Sequence, residues 1–259
     1  MLKRIIKLCI STAVWIADGA GAALGRLVGR KPPGSAVILY YHGVRQRETG
    51  LFARQMDLLK QMARPIPADW QGDLEPGQRY AAVTFDDAFL SVVQNAWPAM
   101  EQRGIPATIF VPTGYLGQVP GWLTNPKYKA GQEIVMTAQQ LQAIGSHPLM
   151  TLGSHTMFHR RMDRLGEPEL RVDLMDSKSQ LEAVLGRRVD TFSFPHGAYT
   201  PRALELAKEA GYKVVYGISP TCSFGKHGGF ILGRVAVEPD DWAWEYRLKL
   251  AGAYRWMAK

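Results

Sequence analysis

Between residues 37 and 237 the chain alternates short apolar runs with helix-length amphipathic segments, and no other feature of the sequence restricts the fold so strongly. Runs at 37–41, 81–85, 107–111, 150–153, 191–194, 214–216 and 230–237 have the length and composition of strands. Segments 52–62, 88–103, 137–144, 168–185 and 201–210 between them carry helical periodicity. Such alternation predicts parallel strands with covering helices, as a barrel or an open doubly wound sheet. Seven candidate strands favour a barrel that closes imperfectly. There is no internal repeat and no low-complexity tract, and 259 residues, 46% of them hydrophobic, fit one large α/β domain.

The chemistry-bearing residues fall at one recurring place in this pattern. His42, Asp86 with Asp87, His155, and Pro195 with His196 each come at or just after the C-terminal end of a predicted strand. In barrels that rim is where catalytic groups collect. His155 and His159 are four apart, and a turn of helix there predicts both imidazoles on one side. With Asp87 they make a two-histidine, one-carboxylate set that leaves coordination positions open for water and substrate. Asp86 is then free to move protons while its neighbour holds an ion, the division of labour of metal-assisted hydrolysis. Taken singly, each feature has an ordinary reading: a surface histidine pair, or a solvated Asp-Asp turn or helix cap. Their joint placement at strand ends favours a site.

These residues resemble the polysaccharide deacetylases among the carbohydrate esterases. Thr84-Phe85-Asp86-Asp87 matches the family's Thr-Phe-Asp-Asp-Gly, Ser154 to His159 contains its His-[Ser/Thr]-x-x-His, and Phe192 to Gly197 is similar to its proline-containing third motif. Order and separation match over roughly residues 36–235. The resemblance implies a distorted (β/α)7-type barrel in which Asp87, His155 and His159 hold a divalent ion, zinc by preference with Co2+, Mn2+ or Ni2+ as alternatives. It implies Asp86 as general base and a backbone N–H near Pro195-His196 as an oxyanion donor. Its expected substrate is a carbohydrate.

The chain also departs from the pattern. No Leu-x-His follows late in the sequence, where Val235-Ala236-Val237 stands instead and the last histidine is His227 of a glycine-rich loop. Ile38 to Val44 matches the poly-N-acetylglucosamine branch, which looks circularly shifted and carries a Tyr-His after its first strand, so His42 is the expected general acid. A rim histidine that merely packs is the plainer reading. Ser193 stands where the family has an arginine, His196 replaces an aromatic, and Ala88 replaces a glycine, a mild change if the turn keeps a negative φ. Asp241-Trp242 faintly resembles the family's Asp-Trp motif, but its position suggests helix packing. His147 and His227 read as ordinary loop residues.

Residues 1–34 form a separate segment, 35–240 the catalytic barrel, and 241–259 an aromatic and basic C-terminal helix. The first segment has Lys3, Arg4 and Lys7, an apolar run, then Asp18 and a small-residue tract, before the stiff Lys31-Pro32-Pro33-Gly34. Three readings fit: a helix lying in a membrane interface, a cleaved secretory signal, and a plain packing helix. Asp18 argues against a spanning helix, which needs about 20 apolar residues. Drawn as a helix, Leu2, Ile6, Cys9, Ala13, Ile16, Ala20, Leu24 and Leu27 share one face. The formal charge of +8 favours anionic neighbours, with nucleic acid excluded as the weakest because no basic run is interleaved with aromatics. Cys9 and Cys222 give no disulfide framework, so the compartment stays open between peripheral membrane association and export to the envelope.

The connection 115–133, with Trp122, is long enough to shape the site, either by stacking on a sugar or as a lid packed on itself. The functional expectation is a metal-dependent N-deacetylase acting on amino sugars of a polysaccharide or lipid-linked saccharide. The rivals are a hydrolase of another non-peptide amide or an O-acetyl ester, and an inactive glycan-binding relative.

Overall fold

The computed structural model describes residues 1–124, 133–221, 224 and 229–258. Its strands are β1 (Ser35–Tyr41), β2 (Arg64–Pro65), β3 (Arg79–Phe85), β4 (Ala107–Val111), β5 (Met150–Ser154), β6 (Thr191–Ser193), β7 (Val214–Tyr216), β8 (Ile231–Leu232) and β9 (Val235–Ala236). The α-helices are α1 (Leu2–Leu27), α2 (Thr49–Met62), α3 (Trp97–Glu101), α4 (Ala138–Gly145), α5 (Glu167–Leu185), α6 (Pro201–Glu209) and α7 (Ala243–Leu250). The strands join in the order β8-β7-β6-β5-β4-β3-β1-β9, with β2 beside β3, and every pairing is parallel. This is the curled, distorted (β/α) barrel expected.

Side-chain alternation along the strands divides the interior in two, as a pleat requires. Leu39, Tyr41, Val83, Phe85, Ile109, Leu152 and Val215 pack with Phe52, Met56 and Leu59 of α2, Leu141 of α4, Leu174 of α5 and Leu206 of α6. The alternate residues Ile38, Ala82, Phe110, Tyr216 and Leu232 form a second, smaller cluster. Register then places the rim: Tyr41 pairs with Phe85, so His42 and Asp86 follow side by side, and Asp86 N–H donates to the Tyr41 carbonyl at 2.9 Å.

The expected single strand over 230–237 is two. β8 and β9 sit at opposite edges of the sheet, so only Gly233 and Arg234 separate its two ends. Glycine is required at the break, because a Cβ on Gly233 would stand 1.9 Å from the Ser219 carbonyl oxygen and 2.1 Å from that of Thr221. Both obstacles are backbone. Gly233→Ala is therefore expected to lower stability by about 3 kcal/mol or more, read from urea denaturation of the full chain.

The helix expected over 88–103 is also broken. Asp87 and Ala88 adopt φ of 69° and 49°, the helical backbone begins beyond them, and a π-turn over Val92–Ala96 leads into α3 with its Pro98. Proline cannot donate to the ladder, and a π-turn is one way to absorb that loss. Conversely α1 runs unbroken through Asp18 and the small-residue tract. By length and composition it is apolar enough to cross a membrane, although Asp18 pairs with Arg255 through two contacts of 2.7 Å.

Candidate metal and catalytic site

Asp87, His155 and His159 converge at the C-terminal rim, with one ligand atom from each lying within 4.8 Å of the others. Asp87 Oδ1 is 3.3 Å from His159 Nε2 and 3.7 Å from His155 Nε2. All three are buried. His155 Nδ1 lies 2.8 Å from the Ser193 carbonyl, so Nδ1 carries the proton and Nε2 keeps its lone pair for the site.

The histidines meet without the helical turn expected. Residues 155–160 are irregular, with Thr156 and His159 left-handed at φ of 65° and 53°. The neighbours impose this path. Asp173 of α5 accepts from Met157 N–H at 2.7 Å, the Thr156 and Met157 carbonyls accept from Thr113 and Gly114 N–H, and Thr156 Oγ1 accepts from His159 N–H at 3.0 Å. Among the described residues the non-glycine positions with positive φ are Asp87, Ala88, Thr156, His159 and His196, all in these rim loops. Each costs on the order of 1–3 kcal/mol, a strain that clusters at functional sites. Ala88 thus does not keep the negative φ that would have made it a mild replacement.

Electrostatics fit a cation. Burial, followed by the Asp86 charge, pushes the Asp87 carboxyl well above its ordinary range. Burial lowers His155 to about 4, and burial with the neighbouring His155 and His196 lowers His159 to about 2. Without an ion the three groups are driven to neutral forms, and buried Asp87 Oδ1 has no hydrogen-bond partner. A divalent ion held by the three would supply what that oxygen lacks, and two imidazoles with a carboxylate are a donor set such a cation accepts.

Asp86 is held differently, and by a residue the sequence reading overlooked. Arg234 is fully buried. Nη1 donates to Asp86 Oδ1 at 2.7 Å and Thr84 Oγ1 at 3.1 Å, Nη2 to Asp86 Oδ2 at 2.9 Å and Ser193 Oγ at 2.7 Å, and Nε to the Gly217 carbonyl at 3.1 Å. All five guanidinium N–H groups are spent. The rings of Tyr40 and Phe110 lie 4.8 and 5.3 Å from its carbon. Burial alone would raise the Asp86 carboxyl, but Arg234, helped by His155 and His42, overcomes it and holds the group far below the usual carboxylate range. Asp86 is thus a fixed carboxylate beside Asp87, whose carboxyl burial pushes the opposite way. An arginine inside an otherwise apolar stretch, Leu232 to Val237, was the available signal.

His42 is exposed at the same rim, its ring 5.8 Å from that of Tyr40. Its pKa is lowered by the protein packed around it, raised by Asp86 and lowered by Arg234. Pro195 is buried and His196 exposed, the latter at φ of 59° with its ring 4.7 Å from that of His159. The geometry therefore brings every expected site residue to one rim. Trp122 stacks on His159 at 4.1 Å and meets Tyr115 edge-on at 4.9 Å, so this part of the long connection packs over the site. The rest of it, 125–132, and His227 and Cys222 lie outside the described residues. Asp241 pairs with Lys249 at 2.6 Å and belongs to the packing around α7, and His147 pairs with Glu101 near α3.

Comparison with known proteins places these observations. Residues 73–215, more than half of the chain, match the model of the family described as polysaccharide deacetylase. The chain belongs to that family. It is 25% identical over 167 residues to the polysaccharide deacetylase-named YxkH of Bacillus subtilis, covering 64% of this chain and 54% of that protein. It is 23% identical over 173 residues to a poly-beta-1,6-N-acetyl-D-glucosamine N-deacetylase of Staphylococcus aureus, covering 66% of this chain and 58% of the relative. The match thus spans little more than half the length of these curated relatives. The structure of IcaB from Ammonifex degensii aligns with a TM-score of 0.67 at 25% identity, over 86% of this chain and 98% of that one. The Streptococcus pyogenes deacetylase PplD shares the fold, with a TM-score of 0.64 at 20% identity over 81% of this chain and 93% of its own.

Proposed function

We propose that this chain is a metal-dependent hydrolase that removes N-acetyl groups from amino sugars of a polysaccharide or lipid-linked saccharide. One observation carries the reading: a buried Asp87-His155-His159 cluster with an orphaned oxygen stands directly beside a carboxylate, Asp86, locked in its charged form by Arg234. Family membership and the named activity of the staphylococcal relative support the substrate class.

Asp87, His155 and His159 would hold a divalent ion, zinc by preference with Co2+, Mn2+ or Ni2+ as alternatives. When bound, such an ion polarises an acyl carbonyl and acidifies water. Asp86 takes the proton of the attacking water, since each of its oxygens retains an acceptor position beyond its bond to Arg234. The backbone at Pro195-His196, turned by the left-handed His196, orients the acyl oxygen. His42 gives a proton to the departing amine. Its lowered pKa makes the protonated ring a readier donor, while the neighbouring Asp86 carboxylate favours that protonated form. The anchored base weighs against an inactive glycan-binding relative.

The test is acetate release from N-acetylglucosamine oligomers by purified full-length protein. Turnover is expected with zinc or cobalt, loss with a chelator, and recovery on adding metal back. Stoichiometric metal without acetate from any N-acetylated sugar, but with acetate from O-acetylated ones, would transfer the reading to an esterase. His42→Ala is expected to lower turnover about 100-fold or more at unchanged metal content. Near-normal hydrolysis by that variant removes His42 as the acid.

A further inference from the structure

The N-terminal helix leaves its most apolar face uncovered. On the side of α1 directed at the protein, polar residues bond to the C-terminal segment beside the partly buried Leu8 and Val14, which pack against the core. Arg4 Nε pairs with Glu245 at 2.6 Å, Ser11 Oγ accepts from Trp256 Nε1 at 2.9 Å, Thr12 Oγ1 accepts from Trp244 Nε1 at 3.1 Å, and Asp18 binds both Nη groups of Arg255. Trp15 meets Trp244 edge-on at 5.3 Å on the same side. The opposite face is the row Leu2, Ile6, Cys9, Ala13, Ile16, Ala20, Leu24 and Leu27, every member exposed and none of them polar or charged. Ile6, Ile16 and Leu24 are 49%, 58% and 66% exposed, on a helix whose 26 residues extend about 39 Å.

What borders this face identifies what covers it. Trp242, Trp244 and Trp256, each more than a third exposed, lie along the protein-facing side of α1, Trp244 and Trp256 bonded to Thr12 and Ser11 and Trp242 against Arg4. Lys3, Lys7, Arg26, Arg30 and Lys31 are exposed along and beyond the helix, and Asp18, the lone acid in the first 31 residues, is already paired with Arg255. A bare apolar row accompanied by exposed, unopposed positive charge is complementary to an anionic lipid leaflet.

We propose that α1 lies flat in such a leaflet on its Leu2-to-Leu27 face, while its polar face stays bonded to the C-terminal segment, so that the barrel is strapped to the membrane in one orientation. The helix is long enough to span, but spanning would pull α1 away from the C-terminal segment it is bonded to and carry Asp18, without Arg255, into hydrocarbon. This inference is independent of the reaction at the rim.

The experiment is flotation of full-length protein with phosphatidylcholine vesicles, with and without about 30 mol% phosphatidylglycerol. Wild type is expected to float with the anionic vesicles, with a blue-shifted tryptophan emission. I6E/I16E, which changes only exposed positions, is expected to bind at least about tenfold less, at unchanged melting and unchanged acetate release from soluble oligomers. K3E/K7E is expected to weaken anionic binding specifically. Wild type that binds neither vesicle, or I6E/I16E that binds like wild type, overturns the proposal. So does a dimer that I6E/I16E dissociates without any vesicle binding, which would make a second copy the occupant. Resistance of the cellular protein to alkaline carbonate extraction would establish a spanning helix instead and equally reject the flat arrangement.

Discussion

Arg234→Met is expected to cost about 3–5 kcal/mol of stability and to reduce turnover by about 100-fold or more. Methionine fills much of the same space, so the loss is electrostatic. It leaves the Asp86 carboxylate buried without its bidentate partner, and unpairs Ser193 Oγ and the Gly217 carbonyl. The variant should also invert the response to acid. In wild type the Asp86 pKa is depressed on folding, so its stabilisation is present above the unfolded carboxylate value, about 3.9, and declines as pH falls below it. With Arg234 gone, burial dominates and the folded pKa lies above the unfolded one. That contribution is favourable at low pH and is lost as pH rises through the folded value. The stability gap between metal-free wild type and variant should therefore narrow from pH 7 to pH 4, as urea denaturation would report. Arg234→Lys should not rescue activity, because one ammonium cannot replace a fork that reaches Asp86 twice while bonding Ser193 and Gly217. Equal stability and turnover in Arg234→Met would mean that the clamp is incidental.

Arg234 also marks where the sequence stops being legible. Short continuous apolar runs located β1 and β3 to within two residues and β4 and β7 at their observed ends, because buried parallel strands write their burial directly into composition. The rim placement of His42, Asp86 and Asp87 followed from the ends of β1 and β3, and that of His155 and His196 from the runs that became β5 and β6. Contacts made by distant parts of the chain were not readable. Nothing local to 230–237 reveals that the carbonyls of Ser219 and Thr221 crowd Gly233, break the run and aim Arg234 at Asp86. The vacancy left by Ser193 in the third motif could be seen in sequence, but its filling from the break between β8 and β9 could not. The left-handed path from His155 to His159 likewise depends on Asp173 of α5 and the loop at Thr113, whereas a four-residue spacing considered alone suggests a helix. For α1, periodicity gave the apolar row correctly, but only the packing revealed that its polar side is turned toward the protein.

Asp86→Asn is expected to abolish most turnover, by about 1000-fold, while the protein still binds cobalt, whereas Asp87→Asn is expected to lose the ion first. The asymmetry follows from what each carboxylate touches. Asp87 has an oxygen aimed at both histidines and no hydrogen-bond partner for it, so its amide removes the one negative charge among the three proposed ligands. Asp86 faces Arg234 with both oxygens, and an amide there must turn an NH2 toward a guanidinium N–H. Donor then opposes donor, and the arginine keeps a buried charge without its counterion, so a loss of about 3–5 kcal/mol should accompany the loss of proton transfer. Activity must therefore be compared on protein shown to be folded, with cobalt absorption and acetate release measured on the same sample. If folded Asp86→Asn released acetate at the wild-type rate, the base would have to be sought elsewhere on the rim. If Asp87→Asn kept cobalt with unchanged affinity, the proposed ligand set would be wrong.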